Sequence, residues 1–133
     1  MKPMPRAPYG GISEYRKVGI QSSVESATPH RLIEMLMDGA LEKIQLARGC
    51  MERKEIARKC EAIDWSLNIL GGLYGSLDME KGGDVARNLA NLYDYMMRRL
   101  VDANIENDTA ILDEVTRLMG EIREAWVAIR NHG

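Results

Sequence analysis

The 133-residue sequence has no phenylalanine, two cysteines, two histidines and four prolines, and each shortage excludes something. Cys50 and Cys60 form no Cys-x-x-Cys pair and neither neighbours a histidine, so a thiolate metal site or a Cys/His nucleophile has no local support. With His30 and His132 as the only imidazoles, no metal set of familiar spacing can be assembled, and no metal or other cofactor is expected. Both cysteines are expected as reduced thiols, with Cys60 the better candidate for core packing. No stretch approaches the roughly 18 uninterrupted apolar residues of a membrane span. The opening Met1-Lys2-Pro3-Met4-Pro5-Arg6-Ala7-Pro8 lacks the apolar centre of a signal peptide. A cytoplasmic protein without membrane insertion is therefore expected. A net charge of −2 and a pI near 5.7 offer a polyanion no footprint, so no nucleic-acid partner is expected.

What is present is a chain rich in Leu, Ile, Ala and Met. Hydrophobic residues make up 45% and charged residues 29%, the balance of a chain that buries a core. Nine methionines join Leu, Ile and Ala, while alternating Thr/Val/Ile runs are scarce, which predicts an all-α fold. The length is that of one domain.

Residues 1–11 hold three of the four prolines and the Gly10-Gly11 pair, and read as a mobile tail preceding a domain over 12–133. Ile12, Tyr15 and Val18 then recur at spacing three, an amphipathic segment too short to stand alone and hence a detachable cap. Thr28-Pro29 predicts a helix start: threonine caps orphan N–H groups and proline at the first position loses nothing it needs. Leu32, Ile33, Leu36, Met37, Ala40, Leu41, Ile44 and Ala47 continue it as a core-facing stripe. Between Met51 and Ile56 the stripe jumps five residues, about 140° around a helix, which predicts a turn near Arg53-Lys54. Ile56, Ala57, Cys60, Ile63, Leu67 and Leu70 begin the next helix. Gly71, Gly72 and Gly75 are expected to weaken its end, and Ser76 to Asp84 to form a loop. A third long helix carries Val85 through Val101, Asn104 to Asp108 breaks it with Asp108 as a helix cap, and a fourth runs from Ile111 through Trp126 to Ile129. Short connections predict an antiparallel four-helix bundle, with the short N-terminal helix packed on it as a cap.

A search for catalytic chemistry returns none. Di-metal bundles need Glu-x-x-His pairs, and this sequence has none. His30, in a first helical turn, reads as a capping or solvated residue. Arg98-Arg99 reads as a solvated face or a docking patch, and Tyr95 as a tyrosine with its hydroxyl in water. No nucleophile elbow, P-loop or dinucleotide fingerprint occurs, and no catalytic residue is assigned. The penultimate helix is the exception to this plainness. Val85, Leu89, Leu92, Tyr93, Met96, Met97, Leu100 and Val101 cover about half its circumference, more than the ~100° stripe a surface helix needs. Either a central helix is meeting two neighbours, or part of the arc faces a partner. Methionine, flexible and polarizable, suits a groove that accepts amphipathic segments.

These same residues carry a resemblance. The run Ser26 to Ala40 (SATPHRLIEMLMDGA), the run Gly75 to Gly83 (GSLDMEKGG) and the run Asn88 to Leu100 (NLANLYDYMMRRL) resemble the flagellin-specific export chaperone FliS family in order and spacing. The similarity extends over about residues 12 to 130. Met37 stands where the family usually has an aromatic residue, Lys54 replaces a glycine common in the turn between the second and third helices, the short N-terminal one being counted first, and Trp65 is unusual bulk.

The resemblance implies a non-enzymatic, ATP-independent chaperone. It would bind the disordered C-terminal segment of flagellin in the cytoplasm, prevent premature polymerisation and present its client to the flagellar type III export gate. Ile12 and Tyr15, with Val18, would then cover a hydrophobic groove until the client arrives. The candidate client or cap residues are Ile12, Tyr15, Val18, Leu89, Leu92, Tyr93, Met96, Met97 and Leu100. The competing class is a structural bundle whose wide apolar helix meets a second copy, and weak self-association would be its sign.

Overall fold

A computed structural model describes residues 28–132, with side chains described to residue 129, as four helices joined by short connections. The expected tail over 1–11 and the cap at Ile12, Tyr15 and Val18 lie outside the described residues. Helix α1 spans Pro29–Glu52, α2 Ile56–Gly75, α3 Met79–Glu106 and α4 Thr109–His132. Successive helices run antiparallel. α1 packs on α2 and α4, and α3 packs on the same two from the opposite corner. Among the described residues no helix is long and apolar enough to cross a membrane.

Local chemistry explains most of the boundaries. Thr28 caps α1, its Oγ1 accepting from the Arg31 N–H at 3.1 Å, and Pro29 takes the first helical position. Asp108 accepts from the Ala110 N–H at 2.9 Å at the start of α4. The first turn falls where the stripe changes phase, over Arg53 and Lys54. Lys54 adopts φ 60°, a left-handed backbone that costs an L-residue roughly 1–2 kcal/mol. Lys54→Gly relieves this strain but gives the unfolded chain more freedom. The net expected gain is about 0.5–1 kcal/mol, read as a raised midpoint in urea unfolding. An unchanged or lowered midpoint would refute the strain argument.

Two expectations are corrected around the second turn. Gly71 and Gly72 do not interrupt α2, which runs unbroken through Gly75 and ends there. Ile69, Leu70 and Leu73 are buried beside them, and that packing outweighs a glycine penalty of roughly 1 kcal/mol per residue. The loop expected over Ser76 to Asp84 is short, because Asp78 caps a new helix: its Oδ1 accepts from Glu80 and Lys81 N–H at 3.1 and 3.0 Å. The glycine signal there marks a kink. Gly83 has φ 52° and ψ −128°, a backbone reserved for glycine, and it sets the first turn of α3 at an angle to the rest. At the far end α3 keeps its helical path through Asn104 to Glu106, and only Asn107, at φ 53°, ends it.

The core runs the length of the bundle through Met37, Ile44 and Cys50 of α1, Ile63, Leu70 and Leu73 of α2, Tyr93, Met96 and Leu100 of α3, and Leu112, Val115 and Met119 of α4. Cys50, rather than Cys60, is the core thiol. The buried stripe of α2 passes through Lys59, Ala62, Ile63 and Ser66, which leaves Cys60 on its border, its Sγ 3.5 Å from Asn104 Oδ1. Trp65 lies on the surface with Lys43 Nζ 5.8 Å from its ring centroid, a cation–π contact across α1 and α2.

Candidate functional site

The wide apolar arc of α3 divides when α2 and α4 pack on either side of it. Tyr93, Met96 and Leu100 point into the core and are fully buried; Leu89, Leu92 and Met97 are half-buried on its flanks. Val85, at 66% exposure, and Ile105, at 74%, stay on the surface with Val101. Of the residues assigned from sequence, Met96 and Leu100 are therefore structural in position.

A groove of about 340 Å³ lies beside the kinked start of α3. Leu77, Val85, Leu89 and Tyr93 line it from the α2–α3 side, Ile33 from α1 and Trp126 from α4, with Asp78 and Lys81 among its polar lining residues. Leu89 and Tyr93 are the assigned residues that the groove brings together. Leu92, Met96, Met97 and Leu100 do not line it; Met97 instead borders a separate shallow depression with Tyr74 and Asp94. Ile33 and Trp126 read in sequence as ordinary core positions, and Leu77 as loop. Their periodicity was visible, but the end of a bundle, where stripes lose their partners, is set by packing.

Trp126 is held in place by His30, which is neither a cap nor solvated. The two rings stack at 4.2 Å with 10° between their planes. His30 Nε2–H donates to the Trp126 carbonyl at 2.8 Å, and the indole N–H donates to the His30 carbonyl at 2.9 Å. A carbonyl only accepts, so the ring must carry its proton on Nε2. This closed pair ties the first turn of α1 to the end of α4 and fixes the indole that walls the groove. Arg123 reinforces the same seam, pairing with Asp38 and, at 3.4 Å, with Glu34.

Several polar groups of α3 are paired. Tyr95 donates its hydroxyl to Glu114 at 2.5 Å rather than to water, and Arg99 bridges Glu114 at 3.0 Å and Asp102 at 3.0 Å. The Tyr95 hydroxyl first, then Arg99, holds the Glu114 carboxyl below the usual range, while Glu114 raises the Tyr95 phenol. Arg98 pairs with Asp94 at 3.1 Å on the same helix. Each arginine of the Arg98-Arg99 pair thus has an acidic partner in the free protein. Tyr93 is the contrast. It is 2% exposed, burial alone pushes its phenol up to about 12, and its hydroxyl has no hydrogen-bond partner among the described residues. Among the described residues no three His, Cys, Asp or Glu side chains are placed to hold a metal. What the site offers is apolar area with one unpaired hydroxyl.

The family model described as "Flagellar protein FliS" matches residues 11–133. The flagellar secretion chaperone FliSB of Pseudomonas aeruginosa is 48% identical over 118 residues, covering 89% of this chain and 94% of the relative. The flagellar secretion chaperone FliS of Salmonella typhimurium is 48% identical over 120 residues, covering 90% and 89%. That of Bacillus subtilis is 39% identical over 106 residues, covering 80% and 78%. Each is named as a chaperone, and none as an enzyme. With its four-helix architecture and these similarities over most of its length, the chain belongs to the FliS family of flagellar secretion chaperones.

Proposed function

We propose that this protein binds the disordered C-terminal segment of flagellin in the cytoplasm, keeps it from polymerising and delivers it to the flagellar type III export gate. The observation that carries the reading is the groove at the kinked end of α3: apolar side chains from three helices converge there, while Val85 beside them remains open to solvent. An open groove of this size lined mainly by apolar side chains can take anchoring side chains of an amphipathic segment. The exposed Val101 and Ile105 further along α3 extend the apolar surface available to a long client. A segment that folds as it binds spreads over such separate patches, offsetting an ordering cost of several kcal/mol with area of order 1,000 Å² or more.

The chain entering α1 at Thr28 arrives beside His30 and Ile33, at the groove's own end of the bundle. That position supports a cap formed by Ile12, Tyr15 and Val18. Calorimetry with a purified flagellin C-terminal peptide tests both parts. Wild-type protein should bind with a large negative heat-capacity change, and Ile12→Ala with Tyr15→Ala should alter the affinity without lowering the melting temperature. Absence of wild-type binding at micromolar concentrations would end the flagellin reading. Unchanged affinity in the double variant would remove the cap. A stable dimer in light scattering, left intact by the peptide, would instead favour self-association.

A further inference from the structure

Among the described residues, the buried Tyr93 hydroxyl at the groove has no hydrogen-bond partner, and it constrains what can lie against it. A hydroxyl taken from water without a partner costs on the order of 1–3 kcal/mol, so native structures seldom leave one unpaired without a use for it. Phenylalanine would fill the same space at no such cost. Side chains on a helix lean toward its N-terminus, which carries the Tyr93 ring over the preceding turn, where Leu89 and Ala86 line the groove. Burial acts on this phenol without any compensating partner, and its raised pKa has that cause alone.

Charge at the groove is of both signs, with Asp78 and Lys81 in the same lining. Lys81 lines it, and no ion pair is formed by its ammonium among the described residues. Asp78 keeps its negative charge but turns its Oδ1 to the backbone N–H groups of Glu80 and Lys81, so Lys81 is the lining group left to meet an acceptor. A hydroxyl donor and a free cation together favour a partner rich in acceptors and negative at its end. The C-terminal end of an α-helix is both: its last four carbonyls lack intrahelical partners, and its dipole is negative there.

We propose that the groove receives the C-terminal end of an amphipathic client helix, with the Tyr93 hydroxyl donating to one of its unpaired main-chain carbonyls and Lys81 facing the same end. The inference rests on the client-binding reading above and specifies which part of the client enters this groove and by what bond. Tyr93 becomes a specificity-determining residue, rejecting segments that bring only apolar side chains.

The test is Tyr93→Phe, measured for folding and for binding of the flagellin C-terminal peptide. Loss of one hydrogen bond at a buried site should weaken binding roughly five- to tenfold. The free variant should melt at the same temperature or higher, because the unpaired hydroxyl is gone. A purely structural tyrosine would give the opposite pattern, a lower melting temperature with unchanged affinity, and that result overturns the proposal. Lys81→Gln, at an exposed position, should weaken binding roughly two- to threefold at low salt and less at high salt. Full affinity in both variants also overturns the proposal, with wild-type binding intact. Failure of the wild-type protein to bind the peptide would overturn the client reading instead.

Discussion

Val85→Asp should weaken client binding tenfold or more and leave the melting temperature within about 2 °C of wild type, whereas Met96→Ala, three turns along the same helix, should do the reverse. Val85 is 66% exposed, so a carboxylate there stays hydrated in the free protein. It also falls just after the Gly83 kink, near the start of the regular part of α3, where a negative charge is favourable. Binding would then have to strip water from that carboxylate in an apolar groove, at a cost of several kcal/mol that no neighbouring cation in the lining except Lys81 can offset. Met96 has no exposed surface and belongs to the core. Truncating it removes buried methylene and sulfur contacts and leaves a cavity, worth about 2–5 kcal/mol, or a drop of roughly 10 °C or more in a domain of this size. Its effect on the peptide affinity of the folded fraction should be slight. If Val85→Asp bound normally while Met96→Ala lost affinity in excess of its loss of fold, client contact would have to be sought elsewhere on the bundle.

That contrast marks where sequence reasoning stopped. The apolar arc on α3 was visible because 3.6-residue periodicity is a local property, and it located Leu89 and Tyr93 at the groove. Which part of the arc would be covered depends on how α2 and α4 cross it, and residues at spacing three and four look alike until they do. Thr28 and Asp108 were legible as caps because the chemistry of a helix start is contained within four residues. The turn at Lys54 was legible from a phase jump without any glycine to announce it. His30 and Trp126 were not, since a pair 96 positions apart leaves no mark on either neighbourhood. The exchange of Cys60 for Cys50 in the core has a similar origin. One step of rotation on α2 decides which residue of Lys59-Cys60 turns inward, and the choice fell on a lysine because a helix terminus lay opposite to receive it.

Lys59 is accordingly the position where a single substitution outside the apolar core should cost most. It is 3% exposed, yet its ammonium is well partnered: Nζ donates to the Asn104 carbonyl at 3.0 Å and to Asn107 Oδ1 at 2.6 Å. Both acceptors sit at the C-terminal end of α3, Asn104 in its last turn and Asn107 as its cap, where helical carbonyls run out of partners and the dipole is negative. The second bond also anchors the side chain of Asn107, whose left-handed backbone ends the helix and turns the chain toward α4. Lys59→Met keeps most of the stem's volume and removes both bonds. Hydrogen bonds to a charged group are worth roughly 1.5–3 kcal/mol each, against which stands the desolvation of an ammonium that the variant no longer buries. The expected net loss is about 2 kcal/mol in urea unfolding. Amide exchange should rise first at residues 104–108, before the centre of α3, because the change releases a terminus and leaves the core packed. Salt should restore little of the loss, since the pair is shielded from the ions that screen surface charges. An unchanged midpoint would mean that burying the ammonium costs as much as its two bonds return, and that Asn107 alone suffices to turn the chain.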